Sequence, residues 1–311
     1  MKTSSLRIAC VLFLSLSLLY GSALQAQSFS TIGDSQNFMP RSAFYIGFGG
    51  SSNSTYFGTQ DVIAIGESIV SDDDGIVAEG FAQGPDDASG GTPFYMNGEL
   101  TISPSVEVGY FQHFHNRGSK LWGFKFTNDY INASSSIRDV RLPQVGEFTN
   151  YTDPDPTPVA FTGNAVAVST KTRVIDQISF RPYLGHSFGR GFLYVGGGPT
   201  VSYLRTEVQD LVGFADIQRP IEEISGPPQD FRDSGWAWGG SAEFGVTYFL
   251  SQCWFLDCSY VLTLTGEKTF YFSSTFSNID STGNDLTGSL IGSSSWSPVT
   301  QAFSVKLCRA F

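Results

Sequence analysis

Apolar and polar side chains alternate along the end of the chain, which predicts a β-strand with one oily face. Counting back from Phe311, every second residue is apolar except Arg309, and the residues between them are small or polar. Successive side chains of a strand point to opposite faces, so this pattern gives one apolar and one polar face. The apolar face of this last strand is Phe303, Val305, Leu307 and Phe311.

Seven earlier segments have the same period of two, so the pattern predicts eight strands. They are Phe44–Gly50, Ile102–Phe111, Leu121–Tyr130, Arg173–Gly185, Phe192–Leu204, Trp236–Phe249 and Trp254–Thr265. Three short turns are predicted at His113–Ser119, Ser187–Gly191 and Leu250–Gln252. Four long connections are predicted at Ser51–Leu100, Asn132–Thr172, Arg205–Gly235 and Gly266–Ser297. This alternation is typical of an all-β, up-and-down antiparallel transmembrane barrel with periplasmic turns at one rim and extracellular loops at the other.

The polar face of these segments carries six charged residues among many glycines. The charged residues are Glu107, Lys125, Arg181, Glu243, Asp257 and Lys306. In a membrane barrel this face lines the lumen, and eight strands leave just enough room for side chains to fill it. Because unpaired charges there would be costly, we expect the three acids and three bases to form an ion-pair network. The alternative is a soluble sandwich or lipocalin-like barrel, whose apolar face would point inward.

Three prolines fall inside predicted strands. Proline cannot donate a hydrogen bond to a strand ladder and normally weakens a strand assignment. We therefore expect a β-bulge at each of Pro104, Pro182 and Pro199.

The N-terminus has the pattern of a secretory signal peptide. Lys2 and Arg7 precede an apolar run, Ile8–Tyr20, and small residues follow it up to Ala26. The run is shorter than the roughly 20 residues that a membrane-spanning helix needs. We predict a signal peptide at 1–26, a periplasmic segment at 27–42 and one barrel domain at 43–311.

The chain resembles small eight-stranded outer-membrane barrels of the OmpA/OmpX type from about Phe44 to Phe311. The segments that carry the resemblance are Phe44–Gly50, Arg181–Gly185, Leu193–Gly198 and the terminal strand. It implies a bacterial outer membrane, contact with outer-membrane lipid and lipopolysaccharide, and a terminal strand that the barrel-assembly machinery reads through Phe311. OmpA itself has a periplasmic peptidoglycan-binding domain after its barrel. We expect no such domain after Phe311, so the resemblance does not imply cell-wall anchoring.

Charge and cysteine content narrow the possible partners and crosslinks. Loss of Lys2 and Arg7 with the signal takes the net charge from −11 to −13, which argues against nucleic acid as a partner. Three cysteines remain, and Cys253 and Cys308 are predicted to face the lumen on neighbouring strands, whereas Cys258 faces lipid. Cys253 and Cys308 are therefore the candidate pair for a disulfide.

Little in the sequence indicates catalysis or a cofactor. The three histidines, His113, His115 and His186, all lie at the predicted periplasmic turns. Enzymes among the outer-membrane barrels resemble each other in placing their active sites towards the outer leaflet or outside. The acidic run Asp72–Asp74 lacks the spacing of a calcium loop. We predict no enzyme activity, no metal and no cofactor.

The function predicted from the sequence is that of a non-enzymatic surface protein, whether structural, adhesive or binding a ligand or host surface through its long loops. One alternative is a narrow, low-conductance pore in which the lumen ion pairs form a gate, as the resemblance to OmpA implies. A weaker alternative is a lipid-modifying enzyme.

Overall fold

The computed structural model describes residues 39–84, 92–114, 118–216, 222–223, 226–279 and 283–311, where the regular structure consists of β-strands. The predicted signal peptide and His115 lie outside the described residues. The strands are β1 Ser42–Tyr56, β2 Gly58–Asp72, β3 Gly75–Gly84, β4 Thr92–Met96, β5 Glu99–His113, β6 Lys120–Asp129, β7 Ala133–Asn150, β8 Val159–Phe188, β9 Gly191–Asp216, β10 Glu222–Glu223, β11 Gln229–Phe249, β12 Trp254–Thr265, β13 Lys268–Ile279, β14 Asp285–Trp296 and β15 Val299–Ala310. Among the described residues, no helix is long and apolar enough to cross a membrane.

Eight of these strands pair in a closed antiparallel ring. The order around the ring is β1, β5, β6, β8, β9, β11, β12 and β15, and β15 pairs back with β1. Each ring strand covers one of the eight segments that alternate in the sequence, apart from Tyr130 and Phe311, which lie one residue beyond β6 and β15. Closure leaves neither edge of the ring unpaired, which is the condition for a barrel.

The structure corrects the prediction of four long loops, because those segments are largely strands. Above the ring the sheet continues from β9 and β8 through β7, β3, β2 and β14 to β13. The rings of Phe231 on β11 and Phe272 on β13 lie 4.7 Å apart, so side chains bring the two ends of this upper sheet together. We call the upper tier, made of β2, β3, β4, β7, β13, β14 and the adjoining ends of β8, β9 and β11, the extension.

The outer face of the ring is apolar. Its exposed side chains include Phe44, Phe48, Ile102, Val108, Phe126, Ile178, Leu184, Leu193, Val195, Trp238, Phe244, Leu264, Phe303, Val305 and Leu307. Ile102 is 86% exposed, and all six charged residues predicted for the lumen are buried. The soluble alternative does not fit this distribution, since a barrel in water would turn the apolar face inward.

Aromatic contacts occur at both ends of the apolar belt. At the end with short turns, the Tyr110 ring lies 4.7 Å from the Phe44 ring and 5.8 Å from the Trp122 ring. At the end next to the extension, the Tyr203 and Trp236 rings lie 5.1 Å apart. Paired girdles of this kind mark the two interfaces of a membrane barrel.

The interior is filled in layers. An apolar layer at the turn end includes Phe111, Phe192, Phe249 and Phe255. The charged residues lie above it, followed by buried Ser, Thr, Asn and Gln side chains. A second apolar layer, which includes Phe57, Ile131, Phe270 and Trp296, lies at the base of the extension. The extension has its own apolar core, formed by Val62, Ala64, Val140, Leu142, Ala165, Ala167, Val208, Leu211, Phe231, Phe276, Leu286 and Leu290.

The three strand prolines produce no β-bulge, contrary to the prediction. Pro104 pairs with Gly50, Pro182 with Phe124 and Pro199 with Gly240, each without a register shift. The β8–β9 ladder is interrupted between Ser179↔Thr200 and Tyr183↔Gly196, but the register is the same on both sides. Because proline has no N–H to donate, hydrogen bonds are lost locally at these positions. The register is nevertheless kept by the rest of the ring.

Candidate functional site

Six charged side chains from six different ring strands meet inside the barrel. Lys125 of β6 is the hub, and its Nζ lies 3.0 Å from Glu243 Oε1, 3.1 Å from Asp257 Oδ2 and 3.8 Å from Glu107 Oε2. Each of these side chains is almost completely buried. One ammonium group therefore ties together three carboxylates.

The two remaining cations lie at opposite sides of this hub. Lys306 Nζ donates to Glu107 Oε2 at 2.9 Å. Arg181 Nε lies 2.9 Å from Glu243 Oε2, an ion pair without hydrogen-bond alignment, and its Nη2 donates to Thr127 Oγ1 at 2.8 Å. The three positive and three negative charges cancel formally, so the cluster is a neutral plug and not a charged channel lining.

Tyrosines complete the plug, although the sequence pattern did not mark them as candidate site residues. The Tyr194 hydroxyl accepts from Lys125 Nζ at 2.8 Å and lies 2.9 Å from both Asp257 carboxylate oxygens. Lys125 Nζ also lies 4.3 Å from the centroid of the Tyr194 ring, within cation–π range. Alternation could have found Tyr194, because it lies between the outward residues Leu193 and Val195.

Glycines opposite the tyrosines make this packing possible. A Cβ atom on Gly109, Gly123 or Gly245 would lie within 2.5 Å of an atom of Tyr45, Tyr183 or Tyr194, respectively. Each of the three glycines is the direct ladder partner of the tyrosine that covers it. The lumen glycines thus provide flat wall on which aromatic rings lie.

The terminal strand closes the ring with its apolar face outward. Phe303, Val305, Leu307 and Phe311 are all exposed on the belt. The Phe311 N–H donates to the Phe44 carbonyl at 2.9 Å, which fixes the last residue against the first ring strand.

The predicted disulfide does not form in this structure, in which Cys253, Cys258 and Cys308 are free thiols. The Ala310 N–H donates to the Cys253 carbonyl, so Cys253 lies opposite residue 310 in the exposed turn. Cys308 instead pairs in register with Phe255, is fully buried and lies with its Sγ 3.3 Å from Glu107 Oε1. The prediction misplaced the register at the turn by two residues.

The histidines and the acidic run have local roles. His113 Nδ1 lies 3.3 Å from the Gly118 carbonyl, and His186 Nδ1 lies 3.4 Å from Ser119 Oγ, both at the turn end. The Asp72 carboxylate accepts the N–H groups of Asp74 and Gly75 and so closes the β2–β3 turn. Within the described ranges, no group of three or more His, Cys, Asp or Glu side chains is placed to hold a metal ion.

A polar contact in the extension links Tyr151, the residue that follows β7, to Glu79 of β3. The Tyr151 hydroxyl donates to Glu79 Oε1 at 2.5 Å. This hydrogen bond to a carboxylate raises the pKa of Tyr151 above its ordinary value.

Comparison with known proteins gives structural likenesses at low sequence identity. No protein-family model and no curated protein matches the chain. It is similar to Neisserial surface protein A, with 10% identity over 86% of this chain and 97% of that chain and a TM-score of 0.31. It is similar to the attachment invasion locus protein Ail of Yersinia pestis, with 12% identity over 80% and 98% of the two chains and a TM-score of 0.20. It is also similar to outer membrane protein OprG of Pseudomonas aeruginosa, with 9% identity over 82% and 97% and a TM-score of 0.28. These scores are low, so the description of the chain as a barrel rests on its own strand pairing.

Proposed function

We propose that this protein is a non-enzymatic surface protein of a bacterial outer membrane, anchored by the eight-stranded ring and exposing the extension outside the cell. The observation that carries the proposal is the combination of an apolar outer belt with a polar, ion-paired interior. This distribution is favourable only where hydrocarbon surrounds the barrel. Charged side chains are then more stable inside the barrel than facing lipid, and apolar side chains can stay on the outside at no cost.

Strand length supports display outside the membrane. β8 has 30 residues, roughly three times the 9–11 residues with which a strand crosses a bilayer. β9 and β11 have 26 and 21 residues and continue beyond the belt at the same end. The residues of these strands beyond the membrane form the extension above it. We propose that any contact with a host surface or ligand is made by the outer face of the extension.

The filled interior argues against the pore alternative. The charged plug lies between the apolar layer at the turn end and the hydroxyl-rich and apolar layers on the other side. Exchange of ion-pair partners alone would leave both apolar layers in place. We therefore assign the plug a structural role in holding the narrow barrel together.

The position of the histidines argues against a lipid-modifying enzyme. Both described histidines lie at the turn end, on the opposite side of the belt from the extension. We expect mutation of single polar residues on the extension to alter adhesion or binding. We expect no hydrolytic activity that such a mutation could abolish.

Heat-modifiable electrophoresis combined with protease treatment of intact cells tests the proposal. A folded barrel should migrate differently with and without boiling, and protease should cut only within the extension while residues 99–113 and 299–311 stay protected. A protein that is soluble in the periplasmic fraction, with no mobility shift, would overturn it. Transfer of the extension to another barrel should transfer any adhesive activity, whereas lumen charge changes should not affect it.

A further inference from the structure

One outward face of the extension, on β13 and β14, consists almost entirely of hydroxyl side chains. Phe270, Phe276 and Leu290 are buried in the interior, so alternation turns the residues between them outward. The outward positions form five ladder rows: Thr269 with Ser295, Tyr271 with Ser293, Ser273 with Ile291, Thr275 with Ser289 and Ser277 with Thr287. None of these ten residues is charged, although the chain has a net charge of −11. We call them the hydroxyl face.

The hydroxyl face is held flat by the side chains beneath it. A Cβ atom on Gly292 would fall on the ring of Phe272, and one on Gly288 would fall on the ring of Phe276. Each glycine is the ladder partner of the phenylalanine that covers it. Phe276 and Leu290 also belong to the apolar core of the extension. A surface that is already ordered loses little conformational freedom when a ligand binds.

Most of the hydroxyl groups are available to a ligand. Thr269 and Ser295 hydrogen-bond to each other at 2.9 Å. In the part of the chain that the structure describes, the side chains of Ser273, Ser289 and Ser293 form no hydrogen bond. Each of these hydroxyl groups can therefore both donate to and accept from a molecule outside the protein.

Apolar side chains lie among the hydroxyl groups. Tyr271 is 74% exposed and Ile291 is 51% exposed. On the β2 side, Ile63 is the ladder partner of Ser293, and Ile65 is the ladder partner of Ile291. Hydroxyl and apolar groups therefore alternate at about 5 Å across the strands and about 7 Å along them.

The charges around the hydroxyl face disfavour an anionic ligand. Two carboxylates of β2, Asp61 and Glu67, border the face as ladder neighbours of β14. Of the adjoining bases, Lys268 is on the inward side of β13, and Arg232 already pairs with Glu207 at 3.4 Å. A phosphate or sulfate group on the face would therefore meet like charge without an available cation.

We propose that the hydroxyl face binds an uncharged carbohydrate chain on a surface outside the cell. Sugar rings have apolar C–H faces that stack on an aromatic ring such as that of Tyr271. Their hydroxyl groups exchange hydrogen bonds with serine, threonine and carboxylate side chains. A protein partner fits less well, because the cores of protein interfaces are poor in serine. This inference rests on the proposed function as a surface protein and names the class of ligand.

An array of immobilised neutral and acidic oligosaccharides, probed with the refolded full chain in detergent, tests the proposal. We expect binding to neutral members, and Tyr271→Ala should weaken it at least about tenfold by removing the stacking ring. Tyr271→Phe keeps the ring and should retain most of the binding. Ser273→Ala with Ser293→Ala should weaken binding at least about threefold, since two hydroxyl groups are lost. The matched control is Tyr151→Ala, which removes an exposed tyrosine that follows β7.

Several outcomes would overturn the proposal. They are no binding to any neutral member, stronger binding to sulfated or phosphorylated members, and an equal loss in Tyr271→Ala and Tyr151→Ala. Binding confined to purified lipopolysaccharide on the same array would also overturn it, because the source would then be the envelope of the cell itself. A heat-modifiable band from each variant shows that it has folded. Adhesion of intact cells that persists in Tyr271→Ala would overturn this inference and leave the proposed function standing.

Discussion

At the scale of residues, one lysine decides whether the polar interior is satisfied. Lys125 lies within ion-pair distance of three carboxylates, and the other two cations each contact one of those carboxylates. Removing a partner from a buried ion pair is far more damaging than removing an exposed charge, because the remaining charge keeps its desolvation penalty.

We expect Lys125→Met to destabilise the barrel by about 3–5 kcal/mol, since it leaves Asp257 without its ammonium partner and Glu107 and Glu243 with one each. Urea unfolding in lipid vesicles, followed by the mobility shift, measures the change. The control is Lys120→Met, which removes an exposed lysine at the turn end. Similar midpoints for the two variants would contradict the role of Lys125 as the hub.

Gly245, the ladder partner of Tyr194, gives rise to a second prediction at the scale of residues. A Cβ at Gly245 would lie 2.2 Å from the Tyr194 hydroxyl, which would push the ring away from Lys125 and Asp257. We expect Gly245→Ala to cost about 1–3 kcal/mol from overpacking. Gly240→Ala, where a Cβ meets only ordinary contacts, should be nearly neutral in the same unfolding assay.

At the scale of elements, the extension behaves as a second folded tier with its own apolar core. The extension joins the ring through the long ring strands, since its strand β7 pairs with β8. Its other main strands, β2, β3, β13 and β14, pair with one another or with β7. Its core residues are separated from the plug by another apolar layer. Damage to this core should therefore stay local.

We expect Val208→Asp to loosen the extension and leave the ring intact. Val208 is buried in the core of the extension, so a carboxylate there lacks a partner and disfavours the folded tier. Limited proteolysis should cut the extension faster, while the heat-modifiable band persists. Val168→Asp, at an outward position of β8, is the control. Loss of the mobility shift in Val208→Asp would show instead that the two tiers fold as one unit.

At the scale of the whole molecule, the layered interior predicts a closed barrel. We expect the wild type and Arg181→Ala alike to give no single-channel conductance above background in planar bilayers. Removing Arg181 opens one ion pair of the plug but leaves both apolar layers in place. A conductance that appears only in Arg181→Ala would support the salt-bridge gate and contradict the structural role of the plug.

The sequence by itself determined the inward or outward face of most ring residues; the exception is the part of β8 before the register shift between Val174 and Asp176, where the alternation is reversed and Val174 is buried. A period of two depends only on the local geometry of a strand, so alternation placed Glu107, Lys125 and Lys306 inside and Phe303 outside without knowledge of any partner strand. The same local pattern marked the eight ring segments.

Only the tertiary structure decided which of those residues meet and how far the strands continue. Cross-strand register is non-local, which is why Cys253 was predicted two residues away from its actual neighbour Ala310. The strands of the extension carry short stretches rich in Ser, Gly and Ala, whose alternation is weak. They become strands because β7 pairs with the long β8 and each further strand, from β3 to β13, pairs with the one before it. The contacts of Tyr194 with Lys125 and Asp257 likewise join distant segments of sequence that only closure of the sheet brings together.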